Sequence, residues 1–256
     1  MATTSIVVTE TPLVLVVLRR ADDALVLGHR LSEWTGHAPT LEEELALPNI
    51  ALDLIGQARA LYQYAGELSG FDEDQLAYLR DVGAYRNCLL VEQPNGDFAR
   101  TIVRQVFYTA FSDAFWRAAS GSTDATLAAI AGKAEKETAY HLRHAGEWLV
   151  RLGDGTEESH RRAQDAVDWL WPYVGELWEA DAAEGEMIAA GVVPDPVALR
   201  HLWEGSVEGL LARATLRRPP DGWTQTGGRR GVHSEHLGVM LAEMQVLPRT
   251  YPGARW

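Results

Sequence analysis

The chain has 256 residues, 46% of them hydrophobic and 23% charged, and a formal net charge of -13. That length is enough for one sizeable buried core, and the acidity excludes nucleic acid or an anionic membrane as an electrostatically held partner, since both select basic surfaces. One cysteine, Cys88, excludes a disulfide framework; it is expected in a buried apolar run, and a reducing, cytoplasmic location is expected with it.

Residues 1–10 read as a loose leader. Pro12 suits a first helical position, and apolar residues recur from there to about Trp34, where Gly36 and Pro39 stop the helix. The apolar run 13–18 inside it is too short to cross a bilayer. Thr40, followed by Glu42, Glu43 and Glu44, opens a second helix toward Leu68, with Pro48 as an early kink or restart. Asn49, Asp53 and Gln57 form a polar row along it at four-residue steps. A third helix is predicted over about 72–91, a turn over 93–97, and an aromatic-rich fourth helix over about 97–119.

Ser122 or Thr123 then caps a helix whose core stripe runs Leu127, Ile130, Ala134, Glu137, His141, Ala145, Trp148, Leu152. A carboxylate and an imidazole therefore stand where a plain core would have leucines. Gly153 is expected as a left-handed stop, and Thr156 starts a helix that continues to about Ile188 with Pro172 as a kink. Pro194 and Pro196 bracket the start of another helix to about Leu216; 217–231 is a loop, and the last helix spans about 233–249. With no strand pattern and no repeat, the fold class is all-α: a single domain built as an antiparallel helical bundle with additional C-terminal helices.

Inward carboxylates and histidines on long helices raise the di-metal carboxylate bundle, which takes a Glu from each of two helices and a Glu-x-x-His from each of two others. The chain departs from that template. The motif positions read Glu137-Thr-Ala-Tyr140 and Asp53-Leu-Ile-Gly56, with tyrosine and glycine in the histidine slots. The acidic-x-x-His pair Glu157 and His160 falls in the first turn after a Gly-rich hairpin, where an exposed helix start is the expected role. The better reading is a metal-free polar centre closed by hydrogen bonds, with Lys133 or Lys136 supplying the positive charge that a buried carboxylate requires. His233, Glu235 and His236 read as capping or surface groups. The pairs Arg19-Arg20, Arg161-Arg162, Arg217-Arg218 and Arg229-Arg230 are left for an acidic partner or a phosphate.

The blocks LGHRLSEWTGHAPTLEEELALPNIALDLIGQAR, LLVEQPNGDFA, KETAYHLRHAGEWLVRLGDGTEES, LWPYVGEL and TGGRRGVHSEHLGVMLAEMQVLPRTYPGARW resemble the PaaC-type subunit of phenylacetyl-CoA epoxidase. The resemblance runs from about Leu25 to Trp256. It implies a ferritin-like fold in a multicomponent monooxygenase of phenylacetate catabolism. It also implies partners: a homologous catalytic subunit with a di-iron site, a small bridging subunit, and a flavin and iron–sulfur reductase acting indirectly. The PaaC-type subunit itself is implied to lack metal ligands and to support the catalytic one. The matching positions Asp53, Lys136, Glu137, Tyr140 and His141 would form the metal-free centre, and no catalytic, metal-binding or cofactor-binding residue is carried over. The alternative is a self-sufficient di-iron oxygenase or ferritin-type oxidase with an atypical ligand set. A stand-alone acyl-CoA-binding protein is a third reading. Tryptophans and the segment 247–256 are expected in part of the partner contact.

Overall fold

The computed structural model describes residues 5–254. They form ten α-helices, with short 3-10 turns and no strand.

α1 (Pro12–Ser32) starts as its sequence demands: the Thr11 side chain accepts from Val14 N, and Pro12 takes the first helical position, where no amide hydrogen is needed. α2 (Leu41–Ser69) is capped by Thr40 and ends at Gly70, whose φ of 83° is the left-handed conformation that favours glycine. Pro48 lies inside α2 without ending it. After a crossover containing α3 (Glu73–Tyr78) and α4 (Leu89–Glu92) come the long helices α5 (Phe98–Ala119) and α6 (Ala125–Gly153).

Short links make α1/α2 and α5/α6 two helical hairpins. Trp34, beyond the end of α1, donates to Thr101 at the start of α5, while Arg20 near the middle of α1 lies over Phe111 and Phe115 farther along α5. These two helices are therefore antiparallel. Gln57 meets Glu137 and Glu43 meets Trp148, so α2 and α6 are antiparallel as well. It follows that α2 and α5 run parallel and are joined by the one long crossover, which is the ferritin-like arrangement of four helices.

The inner and outer helices of this bundle differ in burial. Residues 16–28 of α1 and 101–116 of α5 are buried without interruption, as in a helix surrounded on all sides. α7 (Glu157–Leu170), α8 (Ala182–Ala189) and α9 (Pro196–Arg213) pack around them, α7 and α9 on α5 and α8 on α1. α10 (Glu235–Thr250) packs beside α3. α2 and α6 are buried along one face only.

Several sequence expectations change. Asp124, not Ser122 or Thr123, caps α6 by accepting from Leu127 N, and the His233 side chain is buried against Glu92 instead of lying at the surface. The helix expected over 72–91 breaks after Tyr78, because Asp22 accepts the backbone N–H of Arg86 and Asp23 that of Cys88, giving those amides partners outside any helix. The helix expected to run on through Pro172 becomes a 3-10 segment at Trp171–Trp178. Gly153 is not left-handed: α6 passes through it, and glycine is required because a Cβ there would run into the Ala214 carbonyl.

Candidate functional site

The sequence-derived polar centre lies on the seam between α2 and α6. His141 is buried, and its Nε2 stands 3.0 Å from Asp53 Oδ2, which is 40% exposed. Burial holds the imidazole below its usual range, with the hydrogen bond and charge of Asp53 pulling the other way, so a neutral ring donating from Nε2 fits this pair. One turn along, Glu137 accepts from Gln57 Nε2 at 2.9 Å and pairs with Lys133 at 3.4 Å. Toward the other end, Glu43 accepts from Trp148 Nε1 at 2.7 Å and lies 3.0 Å from His144 Nε2.

Two of the five expected residues are not drawn in. Lys136 is exposed, and Tyr140 is 43% exposed with Arg143 stacked on its ring. The buried face of α6 is Ala131, Ala134, Thr138, His141, Ala145 and Leu149, so Tyr140, about 100° from His141, turns outward. Asn49 of the polar row is also exposed and bonds back to Leu45 O in its own helix.

A second and larger group of charges surrounds α1, and sequence reasoning missed it. Asp22 accepts from Tyr62 Oη at 2.6 Å and Arg86 N at 2.7 Å, and pairs with Arg80. Asp23 accepts two bonds from Arg229 at 2.9 Å and one from Cys88 N at 2.8 Å. Glu176 accepts from the backbone of Leu89, Gly227 and Arg229. Glu92 takes Asn87, His233 and the Ser234 amide. The carboxylates push the Arg80 and Arg229 pKa values above the ordinary arginine range despite burial, and burial pushes the Cys88 thiol well up. The available signal was RRADD inside an apolar helix: five residues without a hydrophobic face mark internal charges. Arg19, Arg20 and Arg229 are buried, which corrects the expectation that their pairs face a ligand. Arg230 stays outside, on Glu179.

These arrangements determine the available chemistry. The acids around α1 have their lone pairs committed to arginines, backbone amides and the side chains of Tyr62, Asn87 and His233. On the seam, Glu43, Asp53 and Glu137 hold separate partners instead of converging. Among the described residues no three His, Cys, Asp or Glu side chains group as a metal site.

A match to the family described as Phenylacetic acid catabolic protein spans residues 1–256. The chain is 50% identical over 240 residues to the C subunit of 1,2-phenylacetyl-CoA epoxidase from Escherichia coli (strain K12), covering 93% of this chain and 97% of that protein.

Proposed function

Since the chain belongs to the phenylacetic acid catabolic protein family, we propose that it is a non-catalytic structural subunit of a phenylacetyl-CoA epoxidase acting in phenylacetate catabolism. It pairs with a homologous subunit that carries the di-iron site and stabilises that subunit's helices. A small bridging subunit and a reductase complete the assembly. The observation that carries this reading is the state of the acids: the inward carboxylates pair off with separate arginines, backbone amides or side-chain donors, Glu43 with His144 and Trp148 and Glu137 with Gln57 and Lys133, instead of converging on one point. No described helix is long and apolar enough to cross a membrane.

The test is co-expression with and without the family member that carries two Glu-x-x-His motifs, followed by iron analysis and turnover of each species. The isolated chain should hold no stoichiometric iron, the heteromer should form, and epoxidation should follow the partner's iron. About two irons per isolated chain, the loading of a di-iron bundle, would overturn the proposal.

A further inference from the structure

Gln105 lies in the middle of α5 and is 1% exposed, yet neither end of its side-chain amide has a hydrogen-bond partner among the described residues. Exchanging its oxygen and nitrogen changes nothing, because both are orphaned. A buried amide in that state is strongly disfavoured, and folded proteins complete such groups with a bound molecule, most often water.

Helix geometry gives what Gln105 faces. Phe98 at the start of α5 packs on Trp148 near the end of α6, with ring centroids 5.1 Å apart. Two turns from there toward the hairpin link, each helix returns to the same face to within about 20°. On α5 that step leads from Phe98 to Gln105, and on α6 from Trp148 to His141. Trp148 reaches α2 through Glu43 and α5 through Phe98, so its face looks into the bundle between them. His141 repeats the arrangement one layer on: it reaches α2 through Asp53 and stands level with Gln105 of α5. It is 1% exposed, and with the neutral ring donating from Nε2, its Nδ1 is an acceptor that bonds nothing among the described residues.

We infer that ordered water lies inside the bundle between Gln105 and His141 and joins α5 to the α2/α6 seam. The atoms to be satisfied select the occupant. Gln105 Oε1 and His141 Nδ1 need a donor, and Gln105 Nε2 needs an acceptor. A metal ion or an ammonium group cannot accept from the amide, a halide cannot donate to Oε1 or Nδ1, and an apolar molecule does neither. Water does both and is small enough for a buried layer. A line of hydrogen bonds then runs from Asp53, 40% exposed at the surface, through His141 and the water to Gln105. Larger open features carry less. Leu247 and Tyr251 on α10 belong to the segment expected in a partner contact, whose Arg255 and Trp256 lie outside the described residues, and nothing in the structure says what covers them.

Gln105→Met separates a wet site from a dry one, because it keeps the unbranched shape and removes both polar ends. With water in place the variant loses those bonds. Its urea midpoint should fall at an unchanged slope, and oxygen-17 relaxation dispersion should count at least one long-lived buried water fewer than in the parent chain. A dry amide predicts the opposite sign, since removing it relieves a penalty. A midpoint that does not fall, or an unchanged water count, overturns the inference. A double-mutant cycle with His141→Phe reads the bridge itself. Two side chains sharing a water should lower the midpoint together by less than the sum of their separate effects, and strict additivity removes the link to His141. Should the variants fail to fold, a high-resolution crystal structure of the parent chain decides. Water density within hydrogen-bonding distance of Gln105 and His141 Nδ1 is expected; a direct protein contact to the amide, or density of any other kind, sinks the proposal.

Discussion

The charges around α1 and those on the α2/α6 seam are both carboxylates paired with nitrogen donors, yet they do opposite work. Around α1 the acids are fully buried and tie distant parts of the chain together: Asp23 holds Arg229 from the C-terminal loop and Cys88 from the crossover. On the seam the pairs join two helices that already lie side by side, and Asp53 is open to solvent. A buried ion pair is costly to break because one partner is left charged without water, whereas a pair at the surface contributes about 0–1 kcal/mol. Position, more than the groups themselves, separates a clamp from a trim.

The largest expected effect is therefore on the clamp. Asp23→Asn should destabilise the fold by about 3–5 kcal/mol, the cost of stranding a buried arginine, lowering the midpoint of urea unfolding sharply. Cys88, buried and held as a thiol by its surroundings, should become reactive to thiol reagents in this variant and stay silent in the parent protein. If Asp23→Asn unfolds no more easily than Asp53→Asn, the contrast between the two regions fails.

Glu43 is the intermediate case, since it belongs to the seam and yet is buried between His144 and Trp148. Glu43→Ala leaves the indole N–H without an acceptor and should cost about 1–3 kcal/mol. Glu137→Gln should cost less, because one oxygen remains to accept from Gln57, and complex formation and partner turnover should persist. Loss of turnover in a fully assembled Glu137→Gln complex would show a catalytic role for this residue.

His141 gives a smaller, pH-dependent effect. Burial lowers its folded pKa, so the unfolded chain protonates more readily. The stabilisation from the neutral ring is then fully present above about pH 6.5, the unperturbed value, and is lost as the pH falls below it. His29, also lowered by burial, acts in the same direction. His141→Asn should flatten, without abolishing, the fall in melting temperature between about pH 7 and pH 5, where an unperturbed histidine titrates. An identical pH profile for variant and parent would remove His141 from the account. Smallest of all, Lys136→Ala in the isolated chain should change stability by no more than about 0.5 kcal/mol, as for an exposed side chain with no partner.

How much of this was legible in the sequence follows from the range of each interaction. Local rules determined the helices: Thr11 with Pro12, Thr40 ahead of three glutamates, Asp97 before the aromatic run and Thr156 after the Gly-rich turn all cap helices by contacts within three residues. Hydrophobic spacing likewise determined that α6 would be amphipathic and would turn His141 inward. The tertiary structure alone decided where the crossover stops being helical, because Asp22 and Asp23 reach it from more than sixty residues away. It alone decided that Arg229 goes inward while Arg230 stays outside, since neighbours in a loop differ only in what the rest of the chain places beside them. The stripe already held Glu137 and His141; Lys136 and Tyr140, added through the resemblance, lie off it and stay exposed. Spacing defines a stripe to within about a residue either way, and a shift of one residue turns a side chain by about 100°, enough to move it from a buried seam to an open face.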